Sequence, residues 1–202
     1  VPVCCDIGIV VPAAYQEEWA YLKSCTDLWD LWHPAPDELG EDLQGNVQDG
    51  QVLLQCQGYQ HCQRDFRTIT CRSFPFFPYL TGEGQFIGLG YYRDFRDQCW
   101  IISNLSVVST TYKQEFKDTF QHIFTEYPQT RSEYDQFSAY IREKHTSLGE
   151  SIVILDFDGQ VLVLDPQTEK TTIGHYKQLE AFGPFAITQE LVFPDEEINH
   201  GS

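Results

Sequence analysis

His61 and Cys62 are the residue types of a thiol nucleophile with its base, since a thiolate beside an imidazole attacks carbonyl and phosphoryl centres. Adjacent side chains need not converge, and no glycine-rich oxyanion turn surrounds Cys62. Cys4, Cys5, Cys25, Cys71 and Cys99 sit in apolar or strand-like contexts, and buried structural thiols are the default reading. Seven cysteines, an odd number without a CxxC pair, argue against a disulfide framework and a structural zinc site, and point to a reducing compartment. The histidines at 33, 61, 122, 145, 175 and 200 show neither i, i+4 pairing nor HExxH, so no metal site is readable. Gly82, Gly84, Gly88 and Gly90 lack the helix, lysine and hydroxyl of a phosphate loop. No cofactor is expected. Asn104-Leu105-Ser106 matches a glycosylation acceptor, a pattern with meaning only on the secretory route.

The sharpest local match to an enzyme motif is Ile154-Leu155-Asp156-Phe157-Asp158-Gly159. It resembles the first motif of haloacid-dehalogenase-type phosphotransferases, which implies Asp156 as nucleophile, Asp158 as general acid and magnesium between them. That motif opens a domain of βα units, whereas few residues follow Gly159, and Val161 to Leu164 continues as a strand. A hairpin explains every residue here: Asp158-Gly159 makes the turn between two apolar strands. A metal-dependent hydrolase built on Asp156 and Asp158 is therefore the alternative, and a non-enzymatic chain the expectation.

The elements that would position these groups follow from periodicity. Tyr15, Trp19, Leu22, Trp29 and Trp32 recur at helical spacing and predict an amphipathic helix over about 14–32, ended by Pro34 and Pro36. Residues 37–50 form an acidic, glycine-bearing loop. Strands are predicted at 52–55, 66–72, 85–92 and 98–103. Thr111 with Gln114, and Thr130 with Glu133, predict the starts of two helices with aromatic stripes, an αα-hairpin. The hairpin at 151–165, a short strand at 171–173 and a helical turn at 176–182 complete the pattern. Asp-Gly-Gln-Val-Leu occurs at 49–53 and again at 158–162, either a trace of two similar halves or a sequence that tight turns select.

The chain has 202 residues, 42% apolar and 14% aromatic, enough for a sizeable core. No apolar run is long enough to span a membrane, and the start lacks the charged end of a leader; Val1 fits an initiator removed ahead of it, as it fits a cleaved leader. The net charge of −17 repels phosphate backbones and anionic lipid, arguing against a basic nucleic-acid face and fitting either solubility alone or a partner with a basic surface. An acidic mimic of nucleic acid is a further alternative. Trp29 and Trp32 end the predicted first helix, and Phe76, Phe77 and Tyr79 fall in expected loops and edges, near the acidic Asp37, Glu38, Glu41 and Asp42; these rings either anchor a partner or pack between sheet and helices. Aromatic anchors next to acidic groups form the candidate partner-binding surface.

Strand, Asp-Gly turn, strand ending in Asp165, polar connection and short helix over Ser151 to Phe185 resemble the C-terminal portion of SUKH-superfamily modules. The Val3-Cys4-Cys5 opening is similar to a double-cysteine motif in the viral branch. The resemblance implies an α+β fold with a mixed, mainly antiparallel sheet flanked by helices. It also implies a non-enzymatic role as toxin-immunity protein, inhibitor or host-response antagonist. The expectation is thus a single α+β domain over 1–194 with acidic loop 37–50 and polar tail 195–202. It would act in the cytoplasm by binding another protein.

Overall fold

The structure, a computed structural model, describes residues 3–33 and 47–180. Its architecture is α+β, as expected, and every described strand pair is antiparallel, in two sheets.

The first sheet has the order β1-β3-β2, formed by β1 (Ala13–Tyr15), β2 (Trp29–Leu31) and β3 (Gln51–Cys56). Between β1 and β2 runs α1 (Gln16–Cys25). The single helix predicted over 14–32 is therefore corrected: helical aromatic spacing persists through Trp29, but the backbone there pairs with β3, Trp29 opposite Cys56 and Leu31 opposite Leu54. Ala14, Leu22, Leu28, Trp29 and Leu54 make this sheet's core. The strand predicted at 66–72 is instead a 3-10 turn at Arg64–Phe66 followed by α2 (Ile69–Ser73). Thr68 decides the difference, because its hydroxyl accepts the Cys71 amide at 3.1 Å as an N-cap.

The second sheet is a five-stranded meander of β4 (Phe76–Leu80), β5 (Phe86–Tyr91), β6 (Ile152–Leu155), β7 (Val161–Leu164) and β8 (Thr171–Gly174). The helical hairpin α3 (Thr110–Glu126) and α4 (Pro128–Leu148) is inserted between β5 and β6. Strand alternation divides the interior. Phe76, Leu80, Leu89, Leu155 and Val161 pack against Phe116, Phe120, Ile123 and Phe124 of α3. Phe77, Tyr79, Ile152, Ile154 and Leu164 form a second cluster with Ile141 of α4. The segment around Pro75 and Pro78, expected as loop or edge, is an edge strand, where proline is tolerated. Its outer edge is covered by α4, whose Arg142 donates to the Leu80 carbonyl at 2.7 Å.

Residues 98–103 form turns leading into a 3-10 segment at Ile102–Val107 in place of the predicted strand, with the Cys99 amide donating to the Phe95 carbonyl at 2.8 Å. The first helix of the hairpin is capped by Ser109, whose hydroxyl accepts the Tyr112 amide at 3.1 Å, while Gln114 reaches across to the Phe157 carbonyl at 2.7 Å. The second starts at Pro128, whose fixed φ suits the first helical position, so Thr130 is freed from capping. The repeated pentapeptide shares left-handed glycines, Gly50 at φ +87° and Gly159 at φ +91°, but the turns close differently and feed different sheets. Turn chemistry accounts for the repetition.

Candidate functional site

The expected partner surface is corrected first. Trp29, Phe76, Phe77 and Tyr79 are core residues, none more than 3% exposed. The Trp29 indole donates to the Phe66 carbonyl at 2.7 Å, and the Phe77 ring meets Phe137 edge-on at 4.8 Å. Tyr79 is held by Arg142, and burial raises its hydroxyl above the usual tyrosine range. These rings supply internal packing area, so they are not available to a partner. Trp32 is half-buried, and Asp37, Glu38, Glu41 and Asp42 lie outside the described residues.

Asp156 and Asp158 are where the hairpin reading put them. The Asp156 carboxylate accepts the amides of Asp158 at 3.0 Å and Gln160 at 2.6 Å, and its own amide donates to the Gln160 carbonyl at 3.0 Å. A carboxylate so engaged organises the loop. Asp158 is exposed. Among the described residues no group of three or more His, Cys, Asp or Glu converges on a point suited to a metal ion. Asn104, the glycosylation match, is buried and its amide donates to the Trp100 carbonyl at 2.8 Å, so it is no acceptor in the fold.

What the structure does assemble is a cleft of about 490 Å³ between the first sheet with α2 and the helical hairpin. One wall comes from Val10, Val11, Ile69 and Phe74, the other from Phe120, Ile123, Tyr134 and Phe137. Two carboxylates also line it, Glu18 from α1 and Glu133 from α4.

Glu18 is positioned by the start of α2, whose Ile69 amide it accepts at 2.6 Å. Burial raises its carboxyl above the usual range, opposed by that amide and by the charge of Arg72. Burial likewise raises Glu133, against a hydrogen bond from Gln129. Tyr15 lies close enough to both for their charges to be felt at its hydroxyl, which burial, above all, pushes up. That hydroxyl is 2.9 Å from the Thr130 hydroxyl, which is in turn 3.1 Å from the Gln48 amide oxygen. The Tyr15 ring stacks on Tyr127 at 4.0 Å, and the Tyr127 hydroxyl donates to Glu17 at 3.1 Å. The cleft is therefore apolar along its walls, with acid and hydroxyl groups set among them. Such a surface suits an apolar group carrying a cation or hydrogen-bond donors.

Sequence reasoning missed Glu18, Glu133 and the Tyr15–Thr130 pair. Glu18 in a helix's first turn looks like ordinary dipole compensation, and Thr130 with Glu133 looks like a capping box. Neither pattern signals that the two helices face each other. Comparison with protein-family models, with curated proteins and with solved structures finds no match. No described helix is long and apolar enough to cross a membrane.

Proposed function

We propose that this chain is a non-enzymatic protein-binding module that receives an apolar side chain and a neighbouring basic group of a partner protein in the cleft beside Tyr15. The observation that carries this reading is the presence of Glu18 and Glu133 among the apolar walls of one opening. Apolar area supplies affinity, while partly desolvated carboxylates favour a cation and penalise an anion, which is how an interface selects its partner. The net charge of −17 acts in the same sense at long range, speeding encounter with a basic surface. An inhibitor, immunity protein or host-response antagonist of the SUKH superfamily, acting in the cytoplasm, is part of the same proposal. Its support is the run of β6, turn, β7, β8 and a 3-10 turn at Tyr176–Gln178 along the segment that carries the resemblance.

The test is affinity capture with mass spectrometry from the native source, using the wild-type chain beside a Glu18→Gln, Glu133→Gln double variant of matched thermal stability. A stoichiometric partner that is retained by the wild type, weakened about tenfold or more by the double variant and released by moderate salt supports the reading. Failure of the wild type to hold any stoichiometric partner overturns it.

A further inference from the structure

Six of the seven cysteines are not scattered through the core. Cys4 and Cys5, in the 3-10 turn at Val3–Cys5, have their sulfurs 3.8 Å apart. Cys56 ends β3, Cys71 lies in α2, and both pack against the core of the first sheet. Cys5 is close enough to Cys4, Cys56 and Cys62 for their charges to act on it, and Cys71 to Cys56 and Cys5; Cys99 acts on Cys4. At the centre is Arg67, between the 3-10 turn at Arg64–Phe66 and α2. Its Nε–H donates to the Cys62 sulfur at 3.1 Å, and its charge reaches Cys4, Cys5 and Cys71 as well.

Burial pushes Cys5 and Cys71 up to about 11 and raises Cys4, keeping them protonated, and therefore slow, at neutral pH. Cys62 accepts a guanidinium N–H, which stabilises a sulfur carrying negative charge, and it is half-buried, so a small reagent can reach it. The same hydrogen bond is the leading cause that holds Arg67 in its charged form. His61 is the neighbour of Cys62 in sequence, and Arg67 is its hydrogen-bond partner in the structure.

We propose that Cys62, positioned by Arg67, is an oxidant-sensitive thiol whose sulfenic acid is resolved by Cys5, giving a Cys5–Cys62 disulfide that ties the N-terminal turn to the loop after β3. With hydrogen peroxide the Cys62 thiolate attacks one peroxide oxygen, breaking the O–O bond, forming the S–O bond of a sulfenic acid and releasing hydroxide. The Cys5 sulfur then displaces the sulfenic oxygen as water, with loss of the Cys5 proton. In sum two thiols lose two electrons and two protons, and one peroxide becomes two waters. A slow resolving thiol makes the sulfenic acid long-lived enough to trap. This site is independent of the cleft and of what the cleft binds.

The experiment is timed iodoacetamide labelling of the whole protein at about pH 7, read cysteine by cysteine by mass spectrometry, with the exposed Cys25 as internal reference. Cys62 is expected to label about tenfold or more faster than Cys25, because the Arg67 N–H stabilises the charge its sulfur carries as a nucleophile. Arg67→Gln is expected to remove that advantage and Arg67→Lys, which keeps the charge, to restore part of it. Peroxide is expected to yield a Cys5–Cys62 cross-linked peptide in the wild type, and in Cys5→Ser a sulfenic acid at Cys62 that dimedone captures. Cys62 labelling no faster than Cys25, which needs no variant to observe, overturns the proposal. Rates indifferent to Arg67→Gln in a folded protein, or a peroxide disulfide that leaves out Cys62, overturn it equally.

Discussion

The Ser138 hydroxyl accepts the Leu80 amide hydrogen at 3.0 Å while donating its own to the Tyr134 carbonyl at 2.7 Å, so one fully buried side chain closes the edge of the five-stranded sheet against α4. The Leu80 amide is a buried main-chain donor on a fully buried residue, so it has no solvent alternative. Ser138→Ala leaves the Leu80 N–H unpaired and is expected to cost about 1–3 kcal/mol, read as a lowered urea midpoint at unchanged slope.

The two aspartates of the hairpin should separate cleanly. Asp156 binds two loop amides, so Asp156→Ala is expected to cost about 1–2 kcal/mol in a denaturant melt. Asp158 is exposed, and Asp158→Asn should change stability by less than about 0.5 kcal/mol. A metal-dependent phosphatase activity abolished by Asp158→Asn would instead make this loop a reaction centre.

Gly90 stands opposite Phe77 in the β4–β5 register, and a methyl group on it would come within 2.6 Å of the Phe77 ring. That ring is wedged against Phe137 and Tyr92 and has nowhere to go. Gly90→Ala is expected to destabilise by about 1–3 kcal/mol, seen as a drop in Tm with the fold retained by circular dichroism.

Burial holds the Glu18 carboxyl above its unfolded value, so the folded state keeps a proton that the unfolded chain has already released. The stability this contributes is present below the unfolded midpoint of about 4.3 and is lost as pH rises through the higher folded midpoint. Glu18→Gln keeps an oxygen for the Ile69 amide and removes the titration. The variant's advantage over the wild type is expected to grow with pH across that window and then level off, in urea midpoints measured along a pH series.

His145 behaves in the opposite sense. Burial lowers it, against the Ser151 carbonyl that lies 3.0 Å from its Nδ1. The unfolded chain takes up a proton below about pH 6.5 while the folded imidazole stays neutral. Stability therefore falls as pH drops through that value, until the folded midpoint is reached. In His145→Gln this acid-side loss should shrink, in the same series of midpoints.

Local chemistry determined the parts of the protein that depend on neighbours in sequence. The β6–β7 hairpin follows from Asp-Gly between two apolar runs, since the turn and its strands are set by a few adjacent residues. The helical pair follows from the stripes Tyr112–Tyr127 and Tyr134–Ile141, because a 3.6-residue period buries one face whatever lies beyond it. The net charge also needed only counting. What pairing and burial decide was out of reach. Trp29 fits a helical period, yet its backbone finds β3 across the long connection at 32–50, and Phe76, Phe77 and Tyr79 are interior because α3 and α4 fold back over both faces of β4. The cleft and the thiol group exist only where segments far apart in the chain meet: Glu18 with Glu133, Cys5 with Cys62 and Arg67. Hydrophobic burial is non-directional and satisfied by many pairings, so which distant side chains become neighbours is settled by the whole chain's packing and leaves no mark in any one stretch of it.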